Sequence, residues 1–140
     1  MSDQKCNLLF VCIENSNRSQ MAEAFARLHG GDAVNAWSAG SRPCGSVNPR
    51  AVAAMQERNV DLTVHSSKGL DDVPAVEWDW IVTMGCGDAC PSIPARNRDD
   101  WALPDPREMA PEDFNKVRDE IEGRVVSLLR QMNVEVKNYE

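Results

Sequence analysis

The sequence predicts an α/β fold: one domain over residues 1–140, a three-layer sandwich in which helices cover both faces of a parallel sheet. Three observations predict it. Short apolar runs alternate with helical patterns along the chain, the order that builds strand–helix–strand crossovers. The length of 140 residues is enough to bury a core. No repeat, low-complexity tract or linker divides the chain.

The elements follow in order. Asn7 to Val11 is apolar and reads as the first strand. Arg18 to His29 places Met21, Ala24, Phe25 and Leu28 on one helical face and stops at Gly30-Gly31. Ala33 to Trp37 reads as a second strand, and Ser38-Ala39-Gly40 then turns the chain. Asn48-Pro49 supplies an N-cap and a proline at the first helical position, so a second helix covers Pro49 to Arg58. A short helix is expected after Ser66. Trp80 to Met84 reads as a buried strand. The segment from Gly85 to Pro111 carries five prolines, at 91, 94, 104, 106 and 111, and is predicted mostly as loop. The last helix starts at Pro111, and its stripe of Phe114, Val117, Ile121, Val125, Leu128 and Met132 is core.

Charge and composition exclude several classes. A net charge of −7 argues against a nucleic-acid or anionic-membrane partner. Met1 to Lys5 is polar, and the first apolar run, Leu8 to Cys12, is too short to span a membrane. A soluble, cytoplasmic chain is expected. The five cysteines (Cys6, Cys12, Cys44, Cys86, Cys90) form an odd set without secreted-scaffold spacing.

Chemistry concentrates in Cys12-Ile13-Glu14-Asn15-Ser16-Asn17-Arg18-Ser19. A strand that ends in a tight loop and enters a helix turns several N–H groups inward, where they and the helix dipole bind an oxyanion. The backbone from Ile13 to Arg18 is the predicted cradle. Arg18 adds a planar fork for two oxygens. The same field favours the Cys12 thiolate near neutral pH. Ser19 is placed to donate to that thiolate, and Asn15 to hold the loop, since asparagine tolerates left-handed backbone. Cys12 also lies beyond the carboxyl end of the first strand, where parallel sheets bind ligands. A buried structural cysteine with an arginine at this spacing by chance is the competing reading, and it ignores the strand–loop–helix context.

Gly85-Cys86-Gly87-Asp88-Ala89-Cys90-Pro91 follows the Trp80 to Met84 strand. Cysteines four apart lie within reach of a disulfide on a helical turn or across a flexible loop. If this strand neighbours the first, Cys86 emerges on the same sheet edge as Cys12, and a disulfide can pass from Cys12–Cys86 to Cys86–Cys90 by thiolate attack. Structural thiols or half a metal site are the alternatives. The metal reading lacks a second pair, and the only histidines are His29 and His65. No metal or cofactor is expected. Cys6 and Cys44 read as bystanders. Asp105, held in Leu103-Pro104-Asp105-Pro106, is either a general acid or an ordinary turn aspartate.

These residues resemble the low-molecular-weight protein tyrosine phosphatase fold family, and within it the thioredoxin-coupled arsenate reductases. Cys12 through Ser19 matches the Cys-x5-Arg-Ser loop, Ser38-Ala39-Gly40 the second-strand turn, Cys86 and Cys90 the reductase-specific pair, and Asp105-Pro106 the general-acid loop. The resemblance covers nearly the whole chain and implies a four-stranded parallel sheet. It implies that Cys12 attacks arsenate, Asp105 protonates the departing oxygen, Cys86 attacks Cys12 as arsenite leaves, and Cys90 then attacks Cys86. A thioredoxin-type donor, or another thiol reductant, reduces the final Cys86–Cys90 bond. Phosphate and sulfate are implied as competing anions, and arsenical resistance as the purpose. The chain departs from some members in having Asn17 where they have a cysteine, and three residues rather than six between the redox pair. Better-known members hold a potassium ion at positions matching Asn15, Glu23, Ser38 and an acidic residue. Here the acidic position is Lys68, whose ammonium is expected to replace the ion.

Two rivals remain. A phosphatase needs the same loop and acid but no cysteine pair, and the tyrosines that stack on an aryl substrate are missing after Asp105-Pro106, where Arg107-Glu108 follows. A thiol-based oxidant sensor would instead meet a partner through Trp78, Trp80 and Trp101, residues that more often pack in a core.

Overall fold

A computed structural model describes residues 5–84 and 93–136. Four parallel strands form one sheet in the order β2-β1-β3-β4. They are β1 (Cys6–Cys12), β2 (Val34–Gly40), β3 (Trp78–Thr83) and β4 (Ala95–Asp100). The α-helices are α1 (Arg18–Gly30), α2 (Pro49–Gln56) and α3 (Pro111–Gln131). β1 is central, pairing with β2 from Cys6↔Val34 to Cys12↔Gly40 and with β3 from Leu8↔Trp80 to Val11↔Thr83.

Alternation along β1 builds two cores. Leu8, Phe10 and Cys12 face a cluster with Met21 and Phe25 of α1, Met55 of α2, and Phe114, Ile121 and Val125 of α3. Leu9 and Val11 face the other side, with Ala39, Trp78 and Ile81. Each large apolar side chain buried this way contributes about 1.5–3 kcal/mol. Among the described residues all three α-helices feed the first cluster. The second face is covered by Leu70, in a 3-10 turn at Leu70–Asp72, and by Val73 and Ile93.

The predicted stripe of α3 is buried at Phe114, Val117, Ile121, Val125 and Leu128, and Met132 packs at its edge. Asn48 caps α2 as expected, its side chain accepting from the Arg50 N–H. Trp78 and Trp101 are buried core residues and Trp80 is half-buried, so none forms the exposed partner surface that a sensor would need.

Three local expectations are corrected. Ala95–Asp100 is strand, not loop: its backbone pairs with β3 from Trp78↔Ala95 to Thr83↔Asp100. As an edge strand it tolerates the mostly exposed sequence Ala-Arg-Asn-Arg-Asp-Asp, which carries no apolar alternation to betray it. Ser38-Ala39-Gly40 completes β2 instead of turning. The short helix expected after Ser66 is a 3-10 turn at Leu70–Asp72, and another at Leu62–Val64 precedes it.

A buried charged group ties the helices together. His29 at the end of α1 contacts Glu122 of α3 at 2.7 Å, and Arg58, just past α2, reaches both Glu122 oxygens at 3.1 and 2.7 Å. His29 and Glu122 are both buried.

Candidate active site

Strand order changes direction at β1, with β2 on one side and β3 on the other, and Cys12 ends β1 at that point. Cys12 Sγ lies 2.9 Å from Ser19 Oγ. Asn15, with φ of 51° and no exposed surface, donates from Nδ2 to Ser19 Oγ at 2.8 Å. The Lys68 backbone N–H donates to Asn15 Oδ1 at 2.7 Å, and Gln20 Nε2 donates to it at 2.8 Å. Only an acceptor satisfies both, so Asn15 must offer its NH2 to Ser19. Ser19 in turn keeps its own proton for Cys12 Sγ. The predicted interaction therefore has a defined polarity, from donor to sulfur.

The loop's carbonyls turn away from the site. Cys12 O, Ile13 O, Glu14 O and Ser16 O accept from the N–H groups of Ser41, Arg42, Cys44 and Asn48 at 3.3, 2.7, 3.2 and 3.1 Å. Ser67 Oγ also donates to Glu14 O, and Gln20 Nε2 to Asn15 O. In a trans peptide the next N–H points opposite to the carbonyl. The N–H groups of Ile13, Glu14, Asn15, Ser16 and Asn17 thus face away from that bracing segment. Gly40 makes this packing possible: a Cβ there would stand 2.5 Å from Ile13 O and 2.8 Å from Asn15 N. The sequence marks Gly40 as a turn residue, whereas the structure uses its bareness for close approach.

Arg18 is 7% exposed, and its Nη1 donates to Met84 O at 2.8 Å and Leu103 O at 2.9 Å. This anchors the guanidinium between the ends of β3 and the chain beyond β4. Its Nε and Nη2 edge remains for a two-oxygen contact. A cavity of about 130 Å³ sits over the loop, lined by Cys12, Ile13, Glu14, Ser16, Asn17, Arg18, Asp105 and Arg107. Asp105 thus shares a cavity with Cys12, and its Oδ1 accepts from the Arg107 N–H at 3.1 Å. A larger apolar groove of about 760 Å³ beside Val73, Trp78 and Ile93 contains none of these residues.

Behind the loop lies a buried carboxylate. Glu23 accepts from Ser38 Oγ at 2.5 Å, pairs with Arg27 at 3.0 Å, and lies 3.5 Å from Lys68 Nζ and 3.8 Å from His65 Nδ1. Burial pushes the His65 imidazole below its ordinary value; Glu23 and Asp61 oppose the shift, and Arg27 and Lys68 reinforce it. The Lys68 ammonium stands 3.5 Å from that carboxylate, so a positive charge already faces it. Potassium is therefore expected to change neither turnover nor melting temperature beyond a sodium control. A potassium-specific rise in either would contradict this.

The structure brings together Cys12, Arg18, Ser19 and Asp105 with the loop from Ile13 to Asn17. Cys86 and Cys90 lie outside the described residues. Cys44 is exposed and Cys6 half-buried. Cys44 is more than a bystander in one respect, because its backbone braces Glu14. Sequence reasoning missed Gln20, the Lys68 backbone and Gly40 as loop supports. Only Gly40, a glycine at a strand end, carried a local signal.

A sequence profile of the low molecular weight phosphotyrosine protein phosphatase matches residues 7–138. The chain belongs to that family. Within the family, the arsenate reductase 1 of Staphylococcus epidermidis is 39% identical over 126 residues, 87% of this chain and 94% of that protein. A Bacillus cereus arsenate reductase is 41% identical over 127 residues, 88% and 93% of the two chains. Among solved members, an arsenate reductase in a phosphate-binding state superposes with a TM-score of 0.83 at 32% identity, over 90% of this chain and 98% of that one. The thioredoxin-dependent arsenate reductase of Corynebacterium glutamicum gives 0.77 at 30% identity, over 95% of this chain and 64% of that one.

Proposed function

We propose that this family member reduces arsenate to arsenite by a three-cysteine relay. The observation that carries the reading is that relatives matching most of the chain at about 40% identity are arsenate reductases. The cysteine pair Cys86 and Cys90 in this sequence supports it.

The oxyanion sits on the N–H groups from Ile13 to Arg18, with Arg18 Nε and Nη2 on two oxygens. Their donors are preorganised because the loop's carbonyls are already bonded elsewhere. Cys12 thiolate attacks As(V), forming an S–As bond, while Asp105 protonates the oxygen that leaves as water. Cys86 thiolate then attacks Cys12 Sγ. The new S–S bond forms, the S–As bond breaks, and its electron pair stays on arsenic, giving As(III) and a Cys12–Cys86 disulfide. Ser19, 2.9 Å from Cys12 Sγ, is placed to donate to that sulfur as it leaves. Cys90 attacks Cys86, frees Cys12, and leaves a Cys86–Cys90 disulfide for a thioredoxin-type dithiol to reduce.

Phosphate and sulfate, tetrahedral anions of the same size class, are proposed as competitors for the loop. No helix among the described residues is long and apolar enough to cross a membrane, and the relay's need for reducing dithiols fits a cytoplasmic site. The net charge of −7 argues against nucleic acid as a partner. The test is arsenate-driven oxidation of thioredoxin, glutaredoxin or a small thiol, each supplied in turn. Wild type is expected to turn over with thioredoxin and Cys12→Ser to show none. Equal turnover by Cys12→Ser refutes the reading.

A further inference from the structure

The mouth of the cavity carries a contact that the relay does not use. Arg107 Nη1 lies 2.8 Å from Glu14 Oε2, bridging the acid loop to the oxyanion loop. The bridge is held from behind, because Arg50 Nη1 donates to Arg107 O at 3.1 Å and to Met109 O at 2.8 Å. Glu14 places a carboxylate in a loop built to attract an anion. Its neighbour Arg107 cancels that charge at the rim, and Glu14 and Asp105 in turn favour the Arg107 cation.

We propose that the Glu14–Arg107 bridge is a specificity gate that admits a free inorganic oxyanion and disfavours its organic esters. The proposal deepens the reading above and rests on its placement of the oxyanion over Cys12, not on arsenate being the anion reduced. The cavity is small, about 130 Å³, against about 300–1,000 Å³ for an ordinary small-molecule pocket, and a free tetrahedral anion asks little of it. An ester adds a substituent on the oxygen opposite the nucleophile, the oxygen that Asp105 would protonate. Asp105 and Arg107 line the same cavity, and Asp105 Oδ1 accepts from the Arg107 N–H. A substituent on the oxygen nearest Asp105 is therefore directed toward Arg107 and the bridge. A free anion has nothing to place there. The bridging side chains are about half and a third exposed, so breaking their attraction alone changes affinity by up to about fivefold. Displacing the Arg107 side chain from the exit adds to that.

Two probes separate the cases: inorganic phosphate and benzylphosphonate, compared as dianions for protection of Cys12 against alkylation, read on the Cys12 peptide. In wild type, phosphate is expected to protect at a concentration at least about fivefold lower than benzylphosphonate. Arg107→Ala removes a cation and weakens both anions; Glu14→Ala removes an anion and strengthens both. Each is nevertheless expected to bring the two probes to within about twofold of each other, and the double variant to go no further. That convergence from opposite changes in charge is what simple electrostatics does not produce. Protection with a ratio that stays at the wild-type value in either variant, or a wild-type ratio near one, overturns the gate alone. Absence of protection by either anion overturns the gate together with the oxyanion site beneath it.

Discussion

Cys86→Ser is expected to lower arsenate turnover by about three orders of magnitude or more while sparing any aryl phosphate hydrolysis. A thousandfold loss corresponds to roughly 4 kcal/mol of barrier. The asymmetry arises from how the Cys12 adduct is resolved. A phosphatase resolves it with water, using the loop, Arg18 and Asp105, none of which the substitution touches. A reductase resolves it with a second sulfur, and a serine hydroxyl at that position cannot accept the disulfide. The measurement is parallel turnover of arsenate, with thioredoxin as donor, and of an aryl phosphate, for wild type and variant. Cys90→Ser extends it: that variant is expected to complete one turnover and stall with Cys12 oxidised. Sustained wild-type arsenate turnover by Cys90→Ser would dismiss the three-thiol order.

Glu122→Ala is expected to destabilise the fold by about 3 kcal/mol or more, lowering the melting temperature by about 10 °C. Glu122 is buried and meets both His29 and Arg58. Truncating it removes a buried contact of His29 and an ion pair of Arg58 together, and losing one partner of a buried pair costs about 3–5 kcal/mol. The companion variant sets the scale. Arg58 is more than a third exposed at its side chain, and Arg58→Leu leaves Glu122 its His29 contact, so its loss is expected to be smaller than that of Glu122→Ala. Thermal unfolding of the two variants checks the order; equal losses would mean that the His29–Glu122 contact adds nothing to the helix packing.

The nucleophile loop was legible because its chemistry is contiguous. Eight successive residues carry the sulfur, the guanidinium and the hydroxyl, and the strand–loop–helix context supplies the donors. Asp105 was legible only as one of two readings, since a turn aspartate between prolines looks the same whether or not a nucleophile lies opposite. The structure puts it on the wall of the Cys12 cavity, 93 positions along the chain. β4 was not legible at all. Its polarity is that of a loop, and only pairing with β3 makes it strand. Gln20 lies outside the apolar face read for the first helix, yet it is fully buried and bonded to Asn15 and Ser66.

By itself the sequence pointed to the kind of chemistry: a cysteine in a loop suited to an anion, with a pair of thiols downstream. Apart from β4, periodicity also set the α/β order, because it depends on near neighbours. The tertiary structure decided the polarity and the access of the site. The direction of the Asn15–Ser19–Cys12 bonds depends on the backbone of Lys68, 53 positions from Asn15. The bridge at the cavity depends on Arg107 meeting Glu14, 93 positions apart. Hydrogen-bond direction and cavity shape are properties of groups brought together from distant positions, and no local pattern encodes them.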